Sequence, residues 1–206
     1  MSRRIDRSHQ DEELNIFQAF TDLMSNAFMI ISFLLLISLL QLILKTEEKN
    51  ISVEPIIIDE KSGEFKFPSG SANLTPELLK HIQTNVIPAI QNATRQGNID
   101  FIQVIGHTDS QGISNASNLD GKLTAAATGS EKINALKAGS NTDLGLMRAV
   151  AVVQFLNTKK LGKVNFRAYS AGQLYMPSGK LAKIDRGADD TRRRIEIRFI
   201  PYGQKK

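Results

Sequence analysis

One long apolar block, followed by a series of shorter periodic ones, divides the chain. From Phe20 to Leu44 the sequence FTDLMSNAFMIISFLLLISLLQLIL is apolar almost throughout. As a helix rising about 1.5 Å per residue it reaches about 37 Å, enough to cross a hydrocarbon core of about 30 Å with some tilt. Beyond it the apolar blocks shorten and alternate. ISVEPIIID, Ile51 to Asp59, has strand-forming residues interrupted by Pro55, which suits an edge or linker strand. Phe65 and Phe67 alternate ahead of a glycine turn. A helix is then predicted to start near Thr75, with Pro76 as its first residue, Leu78, Leu79, Ile82, Val86 and Ile90 on its buried side, and a bend at Pro88. A strand FIQVIGHTD, a polar stretch, a helix LGLMRAVAVVQFLNTK, a strand VNFRAYSAG and an alternating strand RRRIEIRFI complete the pattern.

The expected fold class is therefore α/β: a single N-terminal transmembrane helix followed by a mixed-sheet sandwich of two main helices on one sheet. The expected boundaries are a charged tail over 1–19, the transmembrane helix over 20–44, a linker over 45–61 and a folded domain over 62–206. Within that domain, 111–140 reads as an insertion. It is rich in Gly, Ala, Ser and Asn and poor in aromatics, so it is either a surface excursion with one short helix or partly disordered.

Charge changes this picture only slightly. The formal net charge of +5 over 206 residues suits nucleic acid, an anionic envelope polymer or neither. No cysteine is present, so disulfides and thiolate chemistry are excluded, but the compartment is not fixed. Arg3, Arg4 and Arg7 are followed by Asp11, Glu12 and Glu13, and the apolar run ends in QLILKTEEKN without a small-x-small cleavage site. A retained anchor is expected rather than a removed secretory signal. Three arginines before the span, against Lys45 and Lys49 after it, bias the N-terminus to the cytoplasmic side.

The candidate chemistry is sparse. Asp22 stands inside the apolar run, where a carboxylate must pair, reach water or take up a proton. Asp22, Ser25, Met29, Ser32 and Leu36 follow helical spacing and form a face more polar than its Leu and Ile surroundings, which belongs against a partner. The alternative is that Asp22 caps the helix at the headgroup boundary. His107 lies beside Asp109, but it lacks a nucleophile or a metal cluster with His9 and His81, so a structural or binding role is expected. The run Arg192 to Arg194 permits nucleic-acid binding, but Asp185, Asp189, Asp190 and Glu196 dilute it and no aromatic platform accompanies it. No nucleophile, metal set or paired acid emerges, so neither an enzyme nor a bound cofactor is expected, and no direct nucleic-acid partner.

Five pieces in order carry a family likeness: FKFPSGSANLTP from Phe65, GHTDSQG from Gly106, NTDLGLMRA from Asn141, YSAGQLYMP from Tyr169 and RRIEI from Arg193. Together they resemble the OmpA-like peptidoglycan-binding domain shared by the C-terminal part of outer-membrane protein A and the flagellar stator subunit MotB. FTDLM, Phe20 to Met24, with the apolar run after it, looks like the ion-carrying helix of MotB-type subunits. Tail, helix, domain and insertion together look most like ZorB, the family of stator-like subunits of Zorya anti-phage defence systems.

The resemblance implies that Asp22 carries protons or sodium ions, with Ser25 and Ser32 supporting the ion path. It implies a MotA-like (ZorA-like) multi-helix membrane partner, five copies around a dimer of this chain. It implies an inner-membrane protein whose C-terminal domain is periplasmic and holds peptidoglycan. There, Asp109 receives the ammonium and Arg148 the carboxylate of a stem peptide, as charge-assisted hydrogen bonds. Thr108 adds a hydroxyl contact and Asn141 caps or braces the helix start. One of Arg193 and Arg194 faces the ligand, because successive strand residues point to opposite faces. A flagellar-type stator subunit and a passive peptidoglycan tether remain as alternatives.

The chain also departs from the family pattern. Asp109 and Arg148 are much further apart in sequence than is usual, and Arg192 replaces the familiar Asn before the final arginine pair. A modified ligand or a site partly occluded by the insertion is the expectation. The linker is also shorter than in flagellar subunits, which carry a plug helix there.

Overall fold

The computed structural model describes residues 5–47, 53–60, 66–95, 98–159, 161–183 and 185–203, with side chains of the first helix described over 16–43. Phe65, Lys49 and the side chains of His9 and Arg7 lie outside that description, as do Arg3 and Arg4. Two compact units are present, Met1–Ile51 and Ser52–Lys206.

The first unit is one helix, α1, Ile5–Glu47, 43 residues long. It runs past both ends of the apolar block, into the expected tail and the start of the expected linker. Neither Gly nor Pro occurs between those limits, so no residue type in it breaks the i to i−4 ladder. Within it, Ile16–Ile43 is long and apolar enough to cross a membrane, and none of it is buried. Thr21 Oγ1 donates to the carbonyl of Phe17 at 2.7 Å, so this hydroxyl is satisfied inside the helix.

The second unit is a four-stranded sheet with its helices packed on it. Its elements are β1 (Ile56–Asp59), α2 (Pro76–His81), a π-turn (Ile82–Val86), α3 (Ile87–Arg95), β2 (Ile99–His107), α4 (Leu119–Ala127), a short 3₁₀ turn (Ile133–Ala135), α5 (Asn141–Asn157), β3 (Asn165–Gly172) and β4 (Arg194–Pro201). The sheet order is β1-β4-β2-β3. β4 pairs antiparallel with both β1 and β2, while β3 pairs parallel with β2. The parallel pair requires a crossover, which α5 supplies. A single N-terminal apolar helix followed by a mixed-sheet α/β domain is thus the observed fold, as the pattern predicts.

Thr75 caps α2, its hydroxyl accepting from Leu78 N at 3.3 Å, and Pro76 occupies the first turn, where its missing N–H costs nothing. Pro88 follows the π-turn, so the helical stretch is interrupted just before the residue that cannot donate. Leu78, Ile82, Val86 and Ile90 bury against Ile102 and Val104 of β2, Ile195 and Ile197 of β4, and Val152 and Leu156 of α5.

The insertion is ordered. Leu119 and Ala126 of α4, with Leu136 and Ala138, pack on Leu144, Met147 and Val150 of α5 in a second apolar cluster. Asn118 stitches its ends, donating to Ala135 O at 2.9 Å and accepting from Lys137 N at 2.7 Å. Of the two sequence alternatives, the packed excursion is the one observed, with a 3₁₀ turn besides its helix.

Candidate functional site: a mixed-charge cavity at the end of the sheet

The site is set by a close approach of two backbones. A Cβ on Gly106 would lie 1.9 Å from Gly145 O, and one on Gly145 would lie 2.4 Å from Ser170 Oγ. Only glycine at both positions lets the first turns of α5 rest directly on the end of β2. Asp109 follows the end of that strand and Arg148 stands nearly one helical turn beyond Gly145, so the contact brings the two together.

They line one cavity of about 520 Å³ with Glu60, Lys66, Phe67, Thr108, Gln111, Asn141, Asp190 and Arg193 among its walls. Arg148 is 2% exposed and its Nε donates to Ser71 O at 3.0 Å. Its guanidinium lies over the Phe67 ring, 4.8 Å from the centroid. Among the described residues its nearest carboxylate oxygen is Glu60 Oε1, at 3.8 Å. Burial lowers the Arg148 pKa and the Glu60 charge opposes that; a guanidinium so placed still stays protonated.

Arg193 is the hub of the acidic groups. Its Nη1 donates to Asp109 Oδ2 at 2.7 Å, its Nε to Glu60 Oε2 at 2.6 Å and its Nη2 to Asp190 Oδ1. Burial pulls its pKa down, but the hydrogen bonds to Glu60 and Asp109 outweigh this and raise it. Arg194 points the other way. It bonds Glu196 Oε1 at 2.9 Å and the carbonyls of Tyr175 and Met176, so of the two candidate arginines only Arg193 reaches the cavity.

Thr108 lies in the wall, and its buried Oγ1 has no hydrogen-bond partner among the described residues. Asn141 does not cap α5. That cap is Ser140, whose Oγ accepts from Asp143 N at 3.1 Å, while Asp143 Oδ2 accepts from the N–H of Gly139, the residue before the cap, at 2.8 Å. Asn141 Nδ2 instead donates to Gln111 O at 2.9 Å and braces the loop beside Asp109.

His107 stays outside the cavity lining. Its Nε2 is 3.2 Å from Glu196 Oε1. That close contact holds the Glu196 carboxyl well below the usual carboxylate range against the opposing effect of burial, and hydrogen bonds from Arg198 and Arg194 add to it. His81 lies 3.2 Å from Asn85 Nδ2 through its Nδ1. No group of His, Cys, Asp or Glu among the described residues could hold a metal ion. Arg192 is also absent from the lining; it is 1% exposed and donates to Ser110 Oγ at 2.6 Å and to Gln173 O, bracing two loops. Asp22, Ser25 and Ser32 all lie on α1, in the other unit.

Sequence reasoning missed Glu60, Lys66 and Asp190. Glu60 carried one weak signal, a charge placed directly after the apolar strand IIID. Lys66 and Asp190, 3.5 Å apart at the exposed rim, carried none.

No protein-family model matches the chain, and no curated protein matches its sequence. Among solved structures, the periplasmic domain of Helicobacter pylori MotB is similar at 14% identity over 72% of this chain and 76% of that one, with a TM-score of 0.46. The cell wall anchor of the T6SS from Pseudomonas aeruginosa is similar at 19% identity over 72% and 81%, TM-score 0.41. The peptidoglycan-associated lipoprotein from Burkholderia pseudomallei is similar at 19% identity over 66% and 87%, TM-score 0.39. At these levels the likeness carries no residue-by-residue correspondence.

Proposed function

We propose that the C-terminal unit is a peptidoglycan-binding module, and that the whole chain is a wall-anchored, ion-conducting subunit of a stator-like membrane motor in anti-phage defence. The observation that carries the binding half is the Arg148 guanidinium, buried in a cavity wall with no carboxylate oxygen nearer than 3.8 Å among the described residues. A buried cation so weakly neutralised favours an incoming carboxylate, and charge-assisted hydrogen bonds in such a site contribute about 1.5–3 kcal/mol each. Asp109, beside it, accepts from Arg193 and can exchange that partner for a ligand ammonium. An amino-acid end carrying both groups, as in a diaminopimelate stem peptide, matches the pair.

The motor half rests on the resemblance of FTDLM and the run after it, and on a helix long and apolar enough to cross a membrane. In this reading Asp22 carries a proton or sodium ion at the interface with a MotA-like (ZorA-like) partner, in an assembly of five partner copies around a dimer. Ser25 and Ser32 lend oxygens to the path. A unit charge moving through about 100 mV releases about 2.3 kcal/mol, a usable stroke. The N-terminus is cytoplasmic, the span lies in the inner membrane, and the domain is periplasmic.

Two experiments test the halves separately. Full-length protein in mild detergent is expected to sediment with purified cell-wall sacculi and not with DNA at matched salt, and Asp109→Asn or Arg148→Ala to reduce that binding at least about tenfold. Sacculus binding unaltered in both variants refutes the site. In vesicles with the partner subunit, flux is expected to require Asp22, with Asp22→Asn silent though assembled. Flux unchanged by Asp22→Asn leaves a passive tether as the correct reading.

A further inference from the structure

The proposed ligand pair uses Asp109 and Arg148, yet the most connected carboxylate of the cavity is neither. Glu60 is 3% exposed, and among the described residues its carboxylate contacts are directed at the site. Oε1 accepts from Phe67 N at 3.1 Å and stands 3.8 Å from Arg148 Nη1. Oε2 accepts from Arg193 Nε at 2.6 Å. The backbone joins in, Glu60 N donating to Arg193 O at 3.2 Å. One carboxylate therefore hydrogen-bonds Arg193 and the loop that carries Phe67 and stands at a looser 3.8 Å from Arg148, whose guanidinium lies over the Phe67 ring.

The charge balance of the cavity gives this placement its consequence. Among the described residues the walls hold three carboxylates, Glu60, Asp109 and Asp190, and three cations, Lys66, Arg148 and Arg193. Lys66 and Asp190 pair at the exposed rim, where Asp190 also accepts from Arg193 Nη2, and Glu60 and Asp109 are the buried carboxylates beside Arg148 and Arg193. Such a wall is neutral in sum and alternating in sign. It suits a ligand group that is itself neutral and alternating, and it opposes one that brings only negative charge.

We infer that Glu60 is a positioning and specificity-determining residue of this cavity: it holds Arg148 and Arg193 in place and makes the site select a zwitterionic amino-acid head group over a plain carboxylate. This rests on the peptidoglycan-binding reading above. Without the Glu60 charge, the two guanidiniums keep Asp109 as their buried carboxylate, with Asp190 reaching Arg193 from the rim. The cavity becomes net positive, the ammonium of a zwitterion loses one of its two buried counter-charges, and a ligand bearing only carboxylates gains.

The test uses two seven-carbon diacids that differ only in amines: meso-diaminopimelate, which is net neutral at pH 7, and pimelate, which is a dianion. Binding of each to the full-length chain in lipid nanodiscs is measured by calorimetry at pH 7 and fixed salt. Wild type is expected to prefer diaminopimelate at least about tenfold, and Glu60→Gln, which keeps the side-chain length and an acceptor for Phe67 N, to cut that preference at least about tenfold. Glu60→Asp keeps the charge but shortens the reach, so both probes weaken while the preference persists. This variant also serves if Glu60→Gln does not fold, which thermal melting shows.

An unchanged preference in folded Glu60→Gln overturns the inference and leaves the binding reading intact, as does loss of preference in folded Glu60→Asp. Wild type that binds neither probe nor sacculi overturns both together.

Discussion

Gly106→Ala is the sharpest structural test, because the contact it disturbs is backbone against backbone. The new methyl would sit 1.9 Å from Gly145 O. That is about 1.4 Å inside the roughly 3.3 Å at which a carbon meets a carbonyl oxygen. No rotamer change relieves it, because the neighbour is the main chain of α5 rather than the end of a flexible side chain. The helix has to move off β2, and with it go Val152 and Leu156, which pack against Ile102 and Val104. Overpacking of this kind costs about 1–3 kcal/mol and occasionally more, and a fixed backbone partner puts this case at about 3 kcal/mol or above. For a domain of this size that is a loss of about 6–12 °C in melting temperature.

The control is Gly121→Ala in α4. A Cβ there meets nothing within 4 Å, and the substitution should raise stability by up to about 1 kcal/mol through helix propensity. Circular-dichroism melts of the full-length chain in mild detergent compare the two. Gly106→Ala should also weaken sacculus binding, because Arg148 rides on the same helix. A Gly106→Ala melt within about 0.5 kcal/mol of wild type refutes the direct seat of α5 on β2, and with it the geometry that joins Asp109 to Arg148.

Two further perturbations follow from the packing. Glu196 has its folded-state pKa depressed, first by the close contact with His107, so its contribution to stability is complete above the ordinary carboxylate value and is lost as pH falls below it toward the folded value. Melting temperature should therefore fall from about pH 5 downward, and Glu196→Gln should be less stable at pH 7 with a shallower acid slope; parallel slopes would refute the assignment. Ser140→Ala removes the cap of α5 and should cost about 1 kcal/mol, while Asn141→Ala leaves the cap and loosens only the brace to Gln111. Equal melting losses in the two variants would mean that Ser140 is not the cap.

The period of the apolar positions was enough to read most of the second unit. Thr75 and Pro76 announced α2 correctly because a cap and a first-turn proline act within a few residues. The alternation in RRRIEIRFI likewise announced β4, whose Ile195 and Ile197 bury in the core, although Arg194 and Glu196 between them are buried too and only Arg198 of the three charges is exposed. What stayed hidden was non-local. Nothing near Glu60 in sequence shows that it meets residues 148 and 193, because that meeting depends on β1 pairing Asp59 with Arg194 across the sheet. The two roles open to Asn141, cap or brace, could not be separated in sequence, since Ser140 and Asn141 are both good capping types and only backbone geometry makes Ser140 the cap and Asn141 the brace. The insertion's Ala, Gly and Ser content also reads as weak structure. Its order comes from Leu119, Ala126, Leu136 and Ala138 burying against Leu144, Met147 and Val150 of α5, a non-local contact that composition does not show.

The long interval between Asp109 and Arg148 is therefore no measure of their separation in space. The strand end and the helix are fixed by the Gly106 and Gly145 approach, and chain placed between them can lengthen provided that it leaves and returns at the same points. Asn118 ties the two ends of the insertion together, while Asn141 ties its first loop to the start of α5. Gln111, Gly112 and Ile113 then become one wall of the cavity. An excursion anchored in this way need not fill the site; it shapes the mouth while Asp109, Arg148, Arg193 and Glu60 keep the chemistry within. Added length costs little in closure entropy, about 0.6 kcal/mol for each doubling, and burial of Leu119, Ala126 and Leu136 opposes that cost. Sequence spacing between motifs can thus change freely in this architecture, whereas the pair of glycines beneath the site cannot.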